Sequence, residues 1–183
     1  PYSDYMIYYK TGSRKEYEKA YFARRGRMNA CALCALIYPQ APEYLESLEN
    51  ILWAICDEFS WALPAHVKHE DGLDTDCIDL FAAETGFALS EILSLLSDRL
   101  SPFVQQRIRR KLKTRIIDSF LNRTYFWEDA WWNWSAVCAG GVGAVFMYEA
   151  PELFAAVKPR LDHAMKRFLT GFKADGACRE GLG

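Results

Sequence analysis

Ser101-Pro102-Phe103-Val104-Gln105-Gln106-Arg107-Ile108-Arg109-Arg110-Lys111-Leu112-Lys113-Thr114-Arg115-Ile116-Ile117-Asp118-Ser119-Phe120 decides the fold. Ser suits a helix cap, and Pro suits the first turn, where its missing N–H costs nothing. Val104, Ile108, Leu112, Ile116 and Phe120 then recur at every fourth position. That is the apolar stripe of a helix with one buried face. Arg107, Arg109, Arg110, Lys111, Lys113 and Arg115 crowd the rest of the surface. They read as a solvated face, with a track for an anionic polymer as the alternative. No nucleic-acid-binding motif accompanies the run, so nucleic acid is not an expected partner.

The same grammar runs outward in both directions. Residues 14–37 predict a first helix, stopped by Pro39, and Pro42 opens a second with Leu45, Leu48, Leu52, Ile55 and Phe59 on one face. The second is expected to end near Trp61-Ala62-Leu63-Pro64-Ala65-His66. Residues 67–75, with His69, Glu70, Asp71 and Asp74, predict an exposed polar loop. Asp76 is expected to cap a third helix with the stripe Ile78, Phe81, Thr85, Leu89, Ile92 and Leu96. A Trp-rich loop spans about 122–132, and a fifth helix runs from near Asn133 to about Glu149. Pro151 starts a sixth with Leu153, Val157, Leu161, Met165 and Phe168, in which Pro159 should cause a bend or break. Gly171 can end it. No alternating strand pattern persists and no linker divides the chain. The expectation is one all-α domain over 1–183, built of antiparallel helical hairpins.

Composition sets the bounds. The 183 residues are 51% hydrophobic, enough for a real core, and 15% aromatic, a surplus that often lines carbohydrate or partner surfaces. A formal charge of −2 gives no global field toward polyanions. No run of 18 apolar residues exists, so no membrane span is expected, and no signal peptide is visible. Cys31, Cys34, Cys56, Cys77, Cys138 and Cys178 sit mostly in apolar helical contexts, without zinc-site spacing. They read as free, mostly buried thiols, which favours a reducing compartment or an anaerobic source. Cytoplasm and periplasm are the compartments considered, and neither metal nor cofactor is expected.

Chemistry concentrates late in the chain. Trp127, Trp131, Trp132 and Trp134 surround Asn133, followed by Gly140, Gly141 and Gly143 and by Asp175-Gly176-Ala177-Cys178-Arg179-Glu180-Gly181. Asn133 can cap a helix, or use the positive end of that helix to hold a substrate carboxylate or hydroxyl. The tryptophans are too dense to be all core, so a wall for a sugar-like ligand competes with packing. Glycines inside a helix cost about 1 kcal/mol each against Ala, so a neighbour should approach closely there. His66, beside Trp61, is a candidate base or a structural histidine.

Four stretches resemble the heparinase II/III-like family, α/α-toroid polysaccharide lyases related to alginate lyases. They are residues 61–66, Ile78-Asp79-Leu80-Phe81-Ala82-Ala83-Glu84-Thr85, Asn133-Trp134-Ser135-Ala136-Val137-Cys138 with Gly140-Gly141, and Asp175-Gly176 with Glu180-Gly181. The resemblance implies part of a toroid of helix pairs, followed elsewhere by a β-sandwich. It implies β-elimination on uronate polysaccharides such as glycosaminoglycan or alginate. There, an amide neutralises the uronate carboxylate, a Tyr or His removes the C5 proton, and a Tyr protonates the leaving oxygen. Asn133 matches the neutralising Asn, and His66 is the candidate base in this chain. Trp61, Trp127, Trp132, Trp134 and Glu180 are the candidate substrate contacts. Trp134 stands where many such lyases have His, and the family's catalytic Tyr would follow Gly183. The expected partner is an acidic polysaccharide or oligosaccharide. The alternative is a non-catalytic carbohydrate-binding or helical interaction module. An incomplete ring would also expose apolar faces and self-associate.

Overall fold

The computed structural model describes residues 1–68 and 74–181, so His69, Glu70 and Asp71 of the predicted polar loop lie outside the described residues. The described chain is all-α, without a strand. Its helices are α1 (Tyr2–Thr11), α2 (Lys15–Ile37), α3 (Pro42–Cys56), α4 (Leu80–Leu96), α5 (Pro102–Leu112), α6 (Ser119–Asn122), α7 (Asn133–Glu149) and α8 (Pro151–Leu169). A π-helical segment, Lys113–Asp118, joins α5 to α6. Helix α1 is not in the sequence reading. It ends at Gly12, whose φ of 74° closes the left-handed turn before α2.

The π segment solves a problem hidden in the four-residue stripe. At 3.6 residues per turn, each four-residue step overshoots a full turn by roughly 40°. Five such positions would spiral off the core. The wider π turn rewinds the stripe, and Val104, Ile108, Leu112, Ile116 and Phe120 are all buried.

The two ends of the bundle differ. Residues 38–41, residues 97–101 and Ala150 make short connections at one end. Residues 57–79, 123–132 and 170–181 make long ones at the other. Every site residue proposed from sequence lies in or beside the long connections. Helix α7 packs between α4 and α8.

Two of the three glycines of α7 match the expected close approach. A Cβ on Gly141 would stand 2.7 Å from the Ala83 carbonyl oxygen of α4, and one on Gly143 would stand 3.3 Å from a Leu161 methyl of α8. Gly140 meets nothing within 4 Å. Gly141→Ala should therefore force α4 and α7 apart and cost about 2 kcal/mol. Gly140→Ala should gain about 0.5–1 kcal/mol. Thermal melts of the two variants should move in opposite directions; a shared direction would reject the close packing at Ala83.

Other expectations need correction. Asp79, not Asp76, caps α4, because its side chain accepts from the Ala82 N–H at 2.7 Å. Pro159 leaves α8 unbroken, since it sits on the exposed side, where water can serve the freed Ala155 carbonyl. Only Cys56 and Cys138 are buried; the other four thiols are partly exposed. The basic face of α5 is largely engaged. Arg107 pairs with Asp57 and covers Trp53, Arg109 pairs with Glu149, and Lys113 pairs with Asp118. Arg115 is buried and donates to the Glu58 and Phe59 carbonyls.

Candidate functional site

The segment Trp61–Val67 is pinned from three sides. The Tyr21 hydroxyl donates to the Trp61 carbonyl at 2.7 Å, and Tyr9 donates to the Val67 carbonyl at 3.2 Å. Between them, the Leu63 N–H donates to Asp79 Oδ2 at 3.1 Å. Burial pushes the Tyr21 phenol well above its ordinary range, which keeps it a neutral donor.

Asp79 organises this end of the bundle. It is fully buried, and its two oxygens serve the Leu63 N–H, the Ala82 N–H and His66 Nδ1, the last at 2.7 Å. A carboxylate only accepts, so Nδ1 carries the hydrogen in this pair, and the neutral tautomer that does so has its lone pair on Nε2. The His66 ring stacks on Phe81 at 5.7 Å and meets Trp134 edge-on at 4.8 Å. Its side chain keeps 11% exposure. Phe126 lies tilted against Trp134 at 4.9 Å. The fold thus unites residues 66, 79, 81 and 134 from three separated stretches. This is an oriented imidazole with an aromatic neighbour, a geometry suited to proton transfer beside a flat ligand.

Asn133 is exposed and is the first residue of α7; the cap position belongs to Trp132, which makes no side-chain cap bond. The backbone N–H of Asn133 donates to Glu180 Oε2 at 2.8 Å. Glu180 therefore satisfies a free donor at the positive end of α7, a structural role. Its segment is held by the Arg179 N–H on the Gly171 carbonyl at 2.8 Å. Gly171 is required there because a Cβ would lie 2.2 Å from the Trp131 carbonyl oxygen. Trp132 is partly exposed and meets Trp131 edge-on.

Two tryptophans leave the proposed sugar wall. Trp61 and Trp127 are core, with indole N–H groups bound to the Ile55 and Ile78 carbonyls, each at 3.0 Å. Trp127 stacks between Phe120 and Tyr125, so neither ring face is open to a ligand. The sequence reading missed Asp79, Tyr21 and Phe81 as site-building residues. Asp before an apolar helical run was the available signal for Asp79.

Glu84, on α4, has its carboxyl raised above the ordinary glutamate range, first by burial and then by Asp79. A raised carboxyl contributes stability below its unfolded value and loses it as pH rises through the folded value. Glu84→Gln should therefore melt slightly above the parent near pH 7. That advantage should shrink as the pH falls through the raised folded value and be gone below the ordinary glutamate range. Melting curves across pH check this; an advantage independent of pH would contradict it.

Among the described residues, no group of three His, Cys, Asp or Glu side chains is placed to hold a metal ion. No described helix is long and apolar enough to cross a membrane. The large cleft of about 1170 Å³ is lined by neither His66, Asn133, Trp132, Trp134 nor Glu180. The sequence matches no known protein-family description and no curated protein.

Proposed function

We propose that this chain is the helical part of an α/α-toroid polysaccharide lyase of the heparinase II/III-like kind, acting on uronate-containing polysaccharide by β-elimination. The observation that carries the reading is His66, held through Nδ1 by buried Asp79 and set against Trp134, the residue beside Asn133. In this reading the Asn133 amide binds the uronate carboxylate, which lets the C5 carbanion delocalise as an enolate-like species. His66 Nε2 takes the C5 proton, and Asp79 faces the charge that the ring acquires. The C4–O bond breaks as the C4=C5 bond forms, and a proton donor outside these residues caps the leaving oxygen. Trp134 and Trp132 supply the aromatic surface for the sugar.

The test is incubation of the protein that carries this chain with a panel of uronate polymers, followed by the ultraviolet absorbance of the unsaturated product. Growth of that absorbance with one polymer supports the reading. Binding without product on every polymer favours the non-catalytic module, for which Trp134 in the usual His position is the motive. On this reading the helices form an open ring, which would self-associate through exposed apolar residues such as Leu33, Ile37 and Phe103. A monomer in light scattering would count against an open ring.

A further inference from the structure

The cleft of about 1170 Å³ is a separate feature. Its walls come from α1 and α2 on one side and from residues 57–59, 74–76 and Arg123 on the other. Tyr2, Tyr5, Tyr9, Tyr17 and Tyr21 line it, with Phe59. It exceeds the roughly 300–1,000 Å³ that a drug-sized ligand needs.

Its arginines are already paired with acids, while Asp76 forms no ion pair among the described residues. Arg24 pairs with Glu58 at 2.6 Å, Arg123 with Asp74 at 2.5 Å, and Asp57 with Arg107. An anionic ligand would have to break such a pair and strand its carboxylate. Polar groups stay available. Among the described residues, Tyr17 enters ring contacts but its hydroxyl takes no hydrogen bond, and Asp76 Oδ2 takes none, while Oδ1 accepts from Thr75 at 3.0 Å. Tyr2 adds a ring that is 76% exposed. Aromatic faces, a free phenol and a free carboxylate oxygen, beside arginines already paired, fit vicinal hydroxyls on an apolar sugar face.

We propose that this cleft binds an uncharged oligosaccharide, at a site distinct from the His66–Trp134 site. The claim does not depend on elimination chemistry.

The test is calorimetric titration with neutral hexasaccharides of glucose, mannose and xylose, beside uronate oligosaccharides and choline. The parent protein should bind a neutral hexasaccharide saturably. Tyr2→Ala and Tyr17→Phe, which spare the core, should each weaken binding roughly fivefold to tenfold. Trp134→Ala should leave that affinity unchanged. Three results would overturn the proposal: no saturation with any neutral sugar, equal loss in Trp134→Ala, or displacement of the neutral sugar by choline or uronate. A failure of the lyase reading shows instead in product formation and in Asn133 and Trp134 variants, so the two can fail separately.

Discussion

Asp79→Ala is expected to lower the melting temperature by roughly 6–12 °C. The figure follows from the partners. Losing the side-chain cap of α4 costs about 1 kcal/mol. The Leu63 N–H and His66 Nδ1 then lose their acceptor inside the protein, since Asp79 is fully buried. Unmet buried donors add about 1–3 kcal/mol. A total near 3 kcal/mol, at about 2–4 °C per kcal/mol for a chain of this size, gives that range. Asp79→Asn should cost less, because the amide oxygen can still cap α4. A melt shift under about 2 °C for Asp79→Ala would mean that the carboxylate does not organise the loop.

On the proposed lyase reading, His66→Gln should lower turnover on a uronate polymer by about 10²–10⁴-fold, the usual contribution of a positioned general base. Its amide can keep the bond to Asp79 and much of the packing on Phe81, so the melting temperature should move little. Substrate affinity, read by titration, should also hold. Lost turnover with retained fold and binding assigns His66 to the chemistry. Unimpaired turnover would reduce it to a structural histidine packed on Phe81 and Trp134.

These two substitutions also show where sequence reading reached. Helical periodicity located α2 to α5, α7 and α8, because a repeating apolar face is a local property of the chain. It passed over α1, whose tyrosines carry no one-sided apolar stripe and which docks through Tyr5 on Tyr17 and Phe59. It could not see the π segment, although the unbroken four-residue spacing from Val104 to Phe120 is the trace such a segment leaves. The close approach at Gly141 was legible from the cost of a glycine in a helix. The identity of the neighbour, Ala83, was not.

The site was legible in part. His66 and Trp134 were both singled out, yet only the fold brings them together, 68 positions apart in the chain. Asp79 stayed hidden because an N-cap and a histidine partner look alike in one dimension; here it is both. The count of tryptophans misled for the opposite reason. Burial is a three-dimensional property, and Trp61 and Trp127 satisfy their indole N–H groups inside the core. Glu180, singled out as a substrate contact, has its oxygen on the backbone N–H of Asn133.

The most direct test of the central claim is a tryptophan-fluorescence titration with a panel of uronate oligosaccharides, run on the parent chain and on Asn133→Ala. Trp61 and Trp127 are buried and should give a constant background, leaving Trp53, Trp131, Trp132 and Trp134, all exposed or partly exposed, as reporters. The account predicts saturable quenching by at least one oligosaccharide, with affinity weakened roughly tenfold or more in Asn133→Ala, as for a lost charge-assisted hydrogen bond. A flat response across the panel, or equal affinity in the variant, would contradict a carboxylate-reading sugar site at Asn133.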